Sequence, residues 1–238
     1  MGSSIQIIPA LNLALAFIPV IVVIYILHKW SLDVKNAIYS VIRMLIQLLL
    51  VGYVLTTIFI AESAWIVMLV MVIMVIAASW ISLGTVKNRQ GILFRYAFVA
   101  ILVGGGSTLI LITQGVINLA PWFEPKYMIP LAGMIFANSM NSVSLAAERL
   151  DAELQRNNEY KKARSLAFNA AFIPVINSLF AVGLVALPGM MTGQILSGVS
   201  PVIAAHYQIV VMCMIFGSAG LSTACFLVLS KPVFVKLT

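Results

Sequence analysis

Apolar stretches long enough to cross a bilayer follow one another along nearly the whole of this 238-residue chain, separated by short and mostly basic connections. A hydrocarbon core of about 30 Å takes about 20 consecutive apolar residues as a helix. Windows of that length fall near 5–27, 37–60, 64–84, 92–116, 128–147, 165–187 and 207–230. Hydrophobic residues make up 62% of the chain and charged ones 9%, whereas soluble domains are about 45–50% apolar. A water-soluble fold is excluded. The expectation is an all-α, polytopic integral membrane protein of about seven transmembrane helices, forming one transmembrane domain over residues 1–238.

Charge sets the expected orientation. Lys29, Lys35, Lys87, Arg89, Arg95, Arg149, Arg156, Lys161, Lys162, Arg164, Lys231 and Lys236 fall on one face, and the other carries only Lys126. Basic residues stay on the cytoplasmic side, so the N-terminus is expected outside and the C-terminus in the cytoplasm. The net charge of +7 then belongs to loops lying against anionic lipid, and nucleic acid is not an expected partner. The first 27 residues carry no basic leader, and His28-Lys29-Trp30 stands where a signal peptide would have small residues, so this segment reads as a retained first span. Cys213 and Cys225 lie in the last apolar stretch without a paired ligand motif and read as packing residues rather than a disulfide or zinc framework.

Polar residues inside the spans are the candidates for function. Asn138, Asn141, Ser142 and Leu145 share one helical face by the i, i+3, i+4, i+7 rule. Amides in hydrocarbon need partners, so this face points either to a polar path or to neighbouring helices as interhelical glue. The ladder Gly133, Ala137, Asn141 suits close helix contact under both readings. Arg43, with Gln47 one turn on, sits about 10 Å inside the second span at 1.5 Å per residue, within reach of snorkelling. No Asp or Glu falls in any span, which argues against a proton relay built on intramembrane carboxylates.

Three further segments stand out. Pro188-Gly189-Met190-Met191-Thr192-Gly193-Gln194, continuing to Pro201, is rich in breakers and has no charge; it is expected as irregular backbone, either dipping into the membrane to line a cavity or lying at the interface. Met190 and Met191 are open to two uses, soft metal ligation or packing. Gly104-Gly105-Gly106 lies in an apolar helix without the Gly-Lys-Ser/Thr of a phosphate loop and indicates a kink or close packing. No Walker motif occurs in the chain, so any ATP used would be hydrolysed by a partner. The segment 148–164 continues the fifth span as a cytoplasmic helix, with Arg149 and Glu153 paired at i, i+4, until Asn157-Asn158 turns it. It is either a docking surface for a soluble partner or a solvated hairpin.

Several of these motifs resemble, in order, those of the FetB-type membrane permeases, relatives of plant aluminium-tolerance proteins. They are Arg43 through Gln47, Gly52 and Leu55; Ile129-Pro130-Leu131-Ala132-Gly133; Ala137-Asn138 with Asn141; and above all Leu187-Pro188-Gly189-Met190-Met191-Thr192-Gly193, followed by Pro201 and Tyr207-Gln208. The resemblance covers most of the chain from the second span onward. It implies a permease subunit of an ATP-binding-cassette exporter in the bacterial plasma (inner) membrane, a homodimer working with a separate ABC ATPase subunit, and iron or another metal species as cargo. On that reading Arg43, Gln47, Asn138, Asn141, Ser142 and 188–194 line the substrate path. Glu148, Arg149, Glu153, Arg156, Lys161 and Lys162 meet the ATPase. The chain itself would bind no cofactor and catalyse no reaction, and its metal ligands are not readable from the sequence. Family members carry a longer cytoplasmic stretch with a Leu-Gly-Ala turn, and no such run occurs here between Glu148 and Pro174; they also have a glycine where Phe136-Ala137 precedes Asn138. An ATPase-independent channel or carrier and a non-transporting scaffold subunit are the alternatives.

Overall fold

The computed structural model describes residues 8–61 and 63–235. The described residues form α-helices throughout: α1 (Ala10–Leu15), α2 (Ile18–Lys29), α3 (Val34–Ala61), α4 (Ala64–Ser82), α5 (Gln90–Ile110), α6 (Pro125–Gln155), α7 (Tyr160–Ala181), α8 (Gly189–Leu196), α9 (Pro201–Leu229) and α10 (Lys231–Val235). A 3-10 turn, Lys87–Arg89, precedes α5, and a π-helical segment, Leu111–Val116, follows it. Residues 5–7 of the expected first span and Lys236 lie outside the described residues. The chain divides into two compact units, Met1–Ala61 and Glu62–Thr238.

In the first unit, α2 packs against α3 across a tight turn. Ser31 takes the left-handed conformation at φ 56°, its amide donates to the His28 carbonyl, and the Leu32 amide donates to Leu27. This paired return to the last helical turn satisfies carbonyls that a helix end leaves open. Asp33 then starts α3 by accepting the Asn36 amide at 3.0 Å, the bond an N-cap carboxylate makes with the third helical residue. Ile21, Val22, Leu49 and Leu50 stand exposed, as apolar side chains do when the surrounding solvent is hydrocarbon.

The second unit has a packed core. α5 lies against α9, α9 against α6, and α6 against α7, with α4 covering α5 and α6. Small side chains allow the approach: Ala97 and Ala100 of α5, Ala146 and Ala147 of α6, and Ala219 of α9 are fully buried. Gly104 of α5 touches the backbone of Ser222 in α9, and Gly105 abuts the Phe136 ring of α6, so the triple glycine is a close-packing device in an unbroken helix rather than a kink. The buried hydroxyls bond mostly to main-chain carbonyls, Ser79 to Val75 at 2.7 Å and Thr108 to Gly104 at 2.8 Å. Ser222 donates to Ser139 Oγ at 3.1 Å, and Ser139 to the Ser218 carbonyl at 3.3 Å. Burying these polar atoms in hydrocarbon is tolerated because each finds such a partner.

Among the described residues six helical stretches are long and apolar enough to cross a membrane: Ala10–Lys29, Val34–Ile60, Ala64–Ser82, Lys87–Val116, Tyr160–Ala181 and Pro201–Leu229. The expected span 128–147 lies within α6, a 31-residue helix whose apolarity is diluted by Asn138, Ser139, Asn141, Ser142 and Ser144. Proline opens α6 and α9 at the first helical position, where its missing N–H has no intrahelical partner to lose.

Residues 182–206 correct the sequence reading. The sixth expected span ends as a helix at Ala181, not 187, in a turn where Gly183 has φ 82°. The breaker segment is not irregular: Gly189–Leu196 is a two-turn helix, and α9 begins at Pro201, not 207. The breakers sit at helix ends. Pro188 is the N-cap of α8, and Gly198, at φ 91°, closes it with its amide on Ile195 and the Val199 amide on Gln194, the glycine-dependent C-cap. Only Gly193 lies inside the helix.

Candidate functional site

One end of the second unit gathers most of its charged residues, Glu124 and Lys126 lying at the start of α6 instead. α6 is about 46 Å long at 1.5 Å per residue, against about 30 Å of hydrocarbon, so it extends beyond the apolar stretch 128–147 into an aqueous region. It ends at Asn157, left-handed at φ 59°, with the Asn157 amide on Leu154 and the Asn158 amide on Glu153; asparagine here does what Gly198 does after α8. α7 follows directly, making a tight helical hairpin.

Glu153 is the brace of this hairpin. It is 3% exposed, yet its carboxylate has three partners: Arg149 at 2.8 Å, Arg156 at 3.1 Å and the Asn158 side-chain amide at 2.7 Å. A buried carboxylate is stable only when its lone pairs are taken in this way. Arg156 remains exposed, and Lys161 and Lys162 stand exposed on the first turn of α7. Of the residues expected to meet an ATPase, Glu148, Arg156, Lys161 and Lys162 face solvent, Arg149 is half-buried, and Glu153 holds the arginines from within.

The 84–89 connection joins the same end. Arg89 pairs with Asp151 of α6 at 3.1 Å and its guanidinium lies 5.3 Å from the centroid of the Phe234 ring. Lys231 sits over Tyr160, whose hydroxyl donates to the Leu227 carbonyl. Basic residues from 87–89, 149–164 and 231 therefore lie at one end of the unit, in keeping with their shared face in the sequence. Counting charges marks Lys87 and Arg89 only as orientation signals; the pairing with Asp151 needs the fold.

The expected path residues are distributed over both units. Arg43 and Gln47 are carried by α3 of the first unit, Arg43 exposed on its surface. In α6, Ser142 is 2% exposed and belongs to the core, Asn138 is half-buried and donates to the Met134 carbonyl of its own helix at 2.8 Å, and Asn141 is exposed. Gly133 is half-buried with Met74 against it, and Ala137 is exposed, so the small-residue ladder runs from the packed side of α6 to its open side. In α8, Thr192 bonds back to Pro188 at 3.2 Å, Met190 packs on the core, Gly189 and Gly193 are exposed and Pro188 is half-buried. Gln194 has a buried side-chain oxygen without a partner among the described residues. Met191 alone of the α8 residues lines an apolar cavity of about 450 Å³, with Leu179 and Val182 from the end of α7 and Gln208, Met212 and Phe216 from α9. No group of three or more His, Cys, Asp or Glu side chains placed to hold a metal occurs among the described residues.

Lipid-compatible helices, small residues and hydroxyls packed between them, and a braced charged end define a polytopic α-helical protein integral to a membrane. The chain belongs to the family described as Uncharacterised protein family (UPF0014), whose model matches residues 10–234. It is 39% identical, over 92% of its length and 90% of the relative's, to the Escherichia coli K12 protein named Probable iron export permease protein FetB. It is 36% identical to UPF0014 membrane protein slr1647 of Synechocystis, over 76% of each chain, and 32% identical to Protein ALUMINUM SENSITIVE 3 of Arabidopsis thaliana, over 93% of its own length and 85% of the relative's. No solved structure matches it. The protein is thus a membrane permease of this family, integral to the inner membrane.

Proposed function

We propose that this permease is the membrane-spanning subunit of an ABC-type exporter that moves iron or another metal species out of the cytoplasm, with ATP hydrolysed by a separate subunit. The observation that carries this reading is the end of α6, which overshoots the apolar span and finishes in a basic hairpin fixed from within by Glu153. A rigid, exposed basic surface at the aqueous end is suited to receive a soluble subunit, because its side chains lose little further freedom on docking. Iron as cargo is supported by the name of the Escherichia coli relative. The N-terminus outside and the α6–α7 hairpin inside follow from the basic face.

A homodimer accords with the outward placement of Asn141. An exposed amide midway along a helix in hydrocarbon calls for a polar partner, and a second copy supplies one while giving the path its other wall. On this reading Asn138, Asn141, Ser142 and the 188–194 segment serve the path through the second unit, with Arg43 and Gln47 as the polar candidates of the first. Alternating access would follow from ATP-driven movement of the docked subunits.

The test is co-purification of the tagged protein from its native membrane in mild detergent, with an ATPase assay. A stoichiometric nucleotide-hydrolysing subunit whose turnover responds to iron is the expected result. A clean homo-oligomer that passes metal down its gradient in liposomes without ATP would overturn the exporter reading in favour of a carrier.

A further inference from the structure

α7 and α9 touch at two levels and part between them. At the charged end the Tyr160 hydroxyl donates to the Leu227 carbonyl. Further in, Gly220 of α9 abuts the Phe172 ring so closely that an added β-carbon would come within 2.9 Å of it, and Phe168 stacks on Phe172 with 4.8 Å between ring centroids. Between these contacts α9 presents the small Ala224, and the gap remains as a cavity of about 270 Å³. Phe168, Ala224 and Val228 give it an apolar wall, and Arg164, Ser165 and Asn169 of α7 a polar one.

The polar wall is unsatisfied. No acidic residue lines the cavity. Neither Arg164 nor Lys231, whose ammonium lies over the Tyr160 ring, has an ion-pair partner among the described residues. Ser165 and Asn169 are exposed and have no side-chain hydrogen bond among those residues. Depth sorts these groups. Arg164 immediately precedes the apolar stretch 165–187, and Lys231 immediately follows 207–230, which puts both cations at the edge of the hydrocarbon, beside the headgroups. Asn169 lies about 7.5 Å further in than Arg164 at 1.5 Å per residue, just inside that edge, where an amide calls for a polar partner.

We propose that this cavity is a binding site for an anionic phospholipid of the adjoining leaflet. Arg164 and Ser165 take its phosphate, with Lys231 adding charge at the mouth. Asn169 donates to an ester carbonyl, and an acyl chain follows Phe168, Ala224 and Val228 into the hydrocarbon. The uncompensated positive charge selects an anionic head, as basic pockets between transmembrane helices do, and the apolar wall selects a lipid over free phosphate. The site needs neither an ATPase nor a cargo, so it does not rest on the exporter reading.

The test titrates the full chain, purified and delipidated in mild detergent, with phosphatidylglycerol, phosphatidylcholine or inorganic phosphate, and reads native mass spectra and thermal unfolding. Phosphatidylglycerol is expected to bind as a discrete adduct and to raise the unfolding temperature as its concentration rises. Phosphatidylcholine should bind severalfold more weakly, and inorganic phosphate should do neither. Arg164→Gln is expected to weaken phosphatidylglycerol binding about fivefold, the scale of one basic residue at an anionic surface, while Lys126→Gln, at the other end of the unit, leaves it unchanged. Ala224→Leu separates a site from general attraction to the basic face, because it removes no charge and fills the cavity; it is expected to abolish the lipid-dependent rise. Asn169→Leu, at an exposed position, is expected to weaken binding too and serves should Ala224→Leu fail to fold. Phosphatidylglycerol stabilising these two variants as much as the unaltered chain would overturn the site, as would inorganic phosphate matching the lipid. Variants that shift the oligomeric state and leave lipid binding intact would assign the groove to a second copy instead.

Discussion

Gly104 of α5 lies so close to Ser222 of α9 that a β-carbon on the glycine would come within 2.4 Å of the Ser222 amide nitrogen. The obstruction is main chain, so no side-chain rotation relieves it. Gly104→Ala is expected to lower stability by about 1–3 kcal/mol, as overpacking does, and Ser222→Gly should fail to rescue it. Gly106, two residues on, has only a Leu102 methyl at 4.0 Å, and Gly106→Ala should be neutral or stabilising by up to about 1 kcal/mol through helix propensity. Thermal unfolding in detergent, followed by tryptophan fluorescence, separates the two.

The hairpin brace gives a second prediction. Removing the Glu153 carboxylate deletes two ion pairs and the hydrogen bond from the Asn158 amide, while the arginine side chains it releases, 39% and 65% exposed, can turn to water. Glu153→Ala is therefore expected to cost about 2 kcal/mol, nearer to lost charged hydrogen bonds than to a stranded buried charge. Arg156→Ala, which trims an exposed partner, should cost at most about 1 kcal/mol. Trypsin cleavage after Arg156 reports the local opening: the Glu153→Ala protein should be cut faster than the unaltered chain, and an unchanged rate would show that the cap at Asn157 holds the turn unaided.

These sites differ in how far the sequence discloses them. The long helices are legible because a bilayer demands one thing of a segment, sustained apolarity, and 37–60 or 64–84 display it without reference to any neighbour. The Arg149–Glu153 pair is legible because i, i+4 contact is local. The polar face of α6 is legible as a face but not as an environment: Asn138, Asn141 and Ser142 are close in helical angle, yet the boundary between core and exterior runs between them, and only the packing of α9 and α4 fixes that boundary. The Arg89–Asp151 pair joins residues far apart in the chain and leaves no local signal. The 188–201 run misleads because composition does not say whether a proline or glycine lies within an element or at its end.

The α6 boundary carries a third prediction. Asn138 already bonds within its helix, so Asn138→Leu removes no hydrogen bond between helices and should change metal efflux from energised vesicles less than Asn141→Leu. Asn141 is exposed, so its replacement should leave the unfolding temperature of the second unit unaltered while reducing efflux severalfold, if its partner is a second copy across the path. Efflux unchanged in Asn141→Leu would remove this residue from the path.

The short helix α8 offers a fourth prediction, with two glycines of opposite sign. Gly193 lies within the helix, and a β-carbon added there would meet nothing within 4 Å, so alanine at this position should stabilise the helix by about 1 kcal/mol. Gly198 has equal space, but its φ of 91° is one that L-residues rarely adopt, and it supplies the amide that closes the helix on Ile195. Gly198→Ala should therefore destabilise the α8–α9 turn by about 1–2 kcal/mol. Hydrogen exchange of the amides of Thr192, Ser197 and Val199, all bonded to main-chain carbonyls in this helix and its cap, gives the readout: slower in Gly193→Ala, faster in Gly198→Ala. Equal effects from both would mean that the segment is held as irregular backbone by its surroundings, because only a helix gives a residue at its centre and a residue at its left-handed cap opposite responses to the same added methyl group.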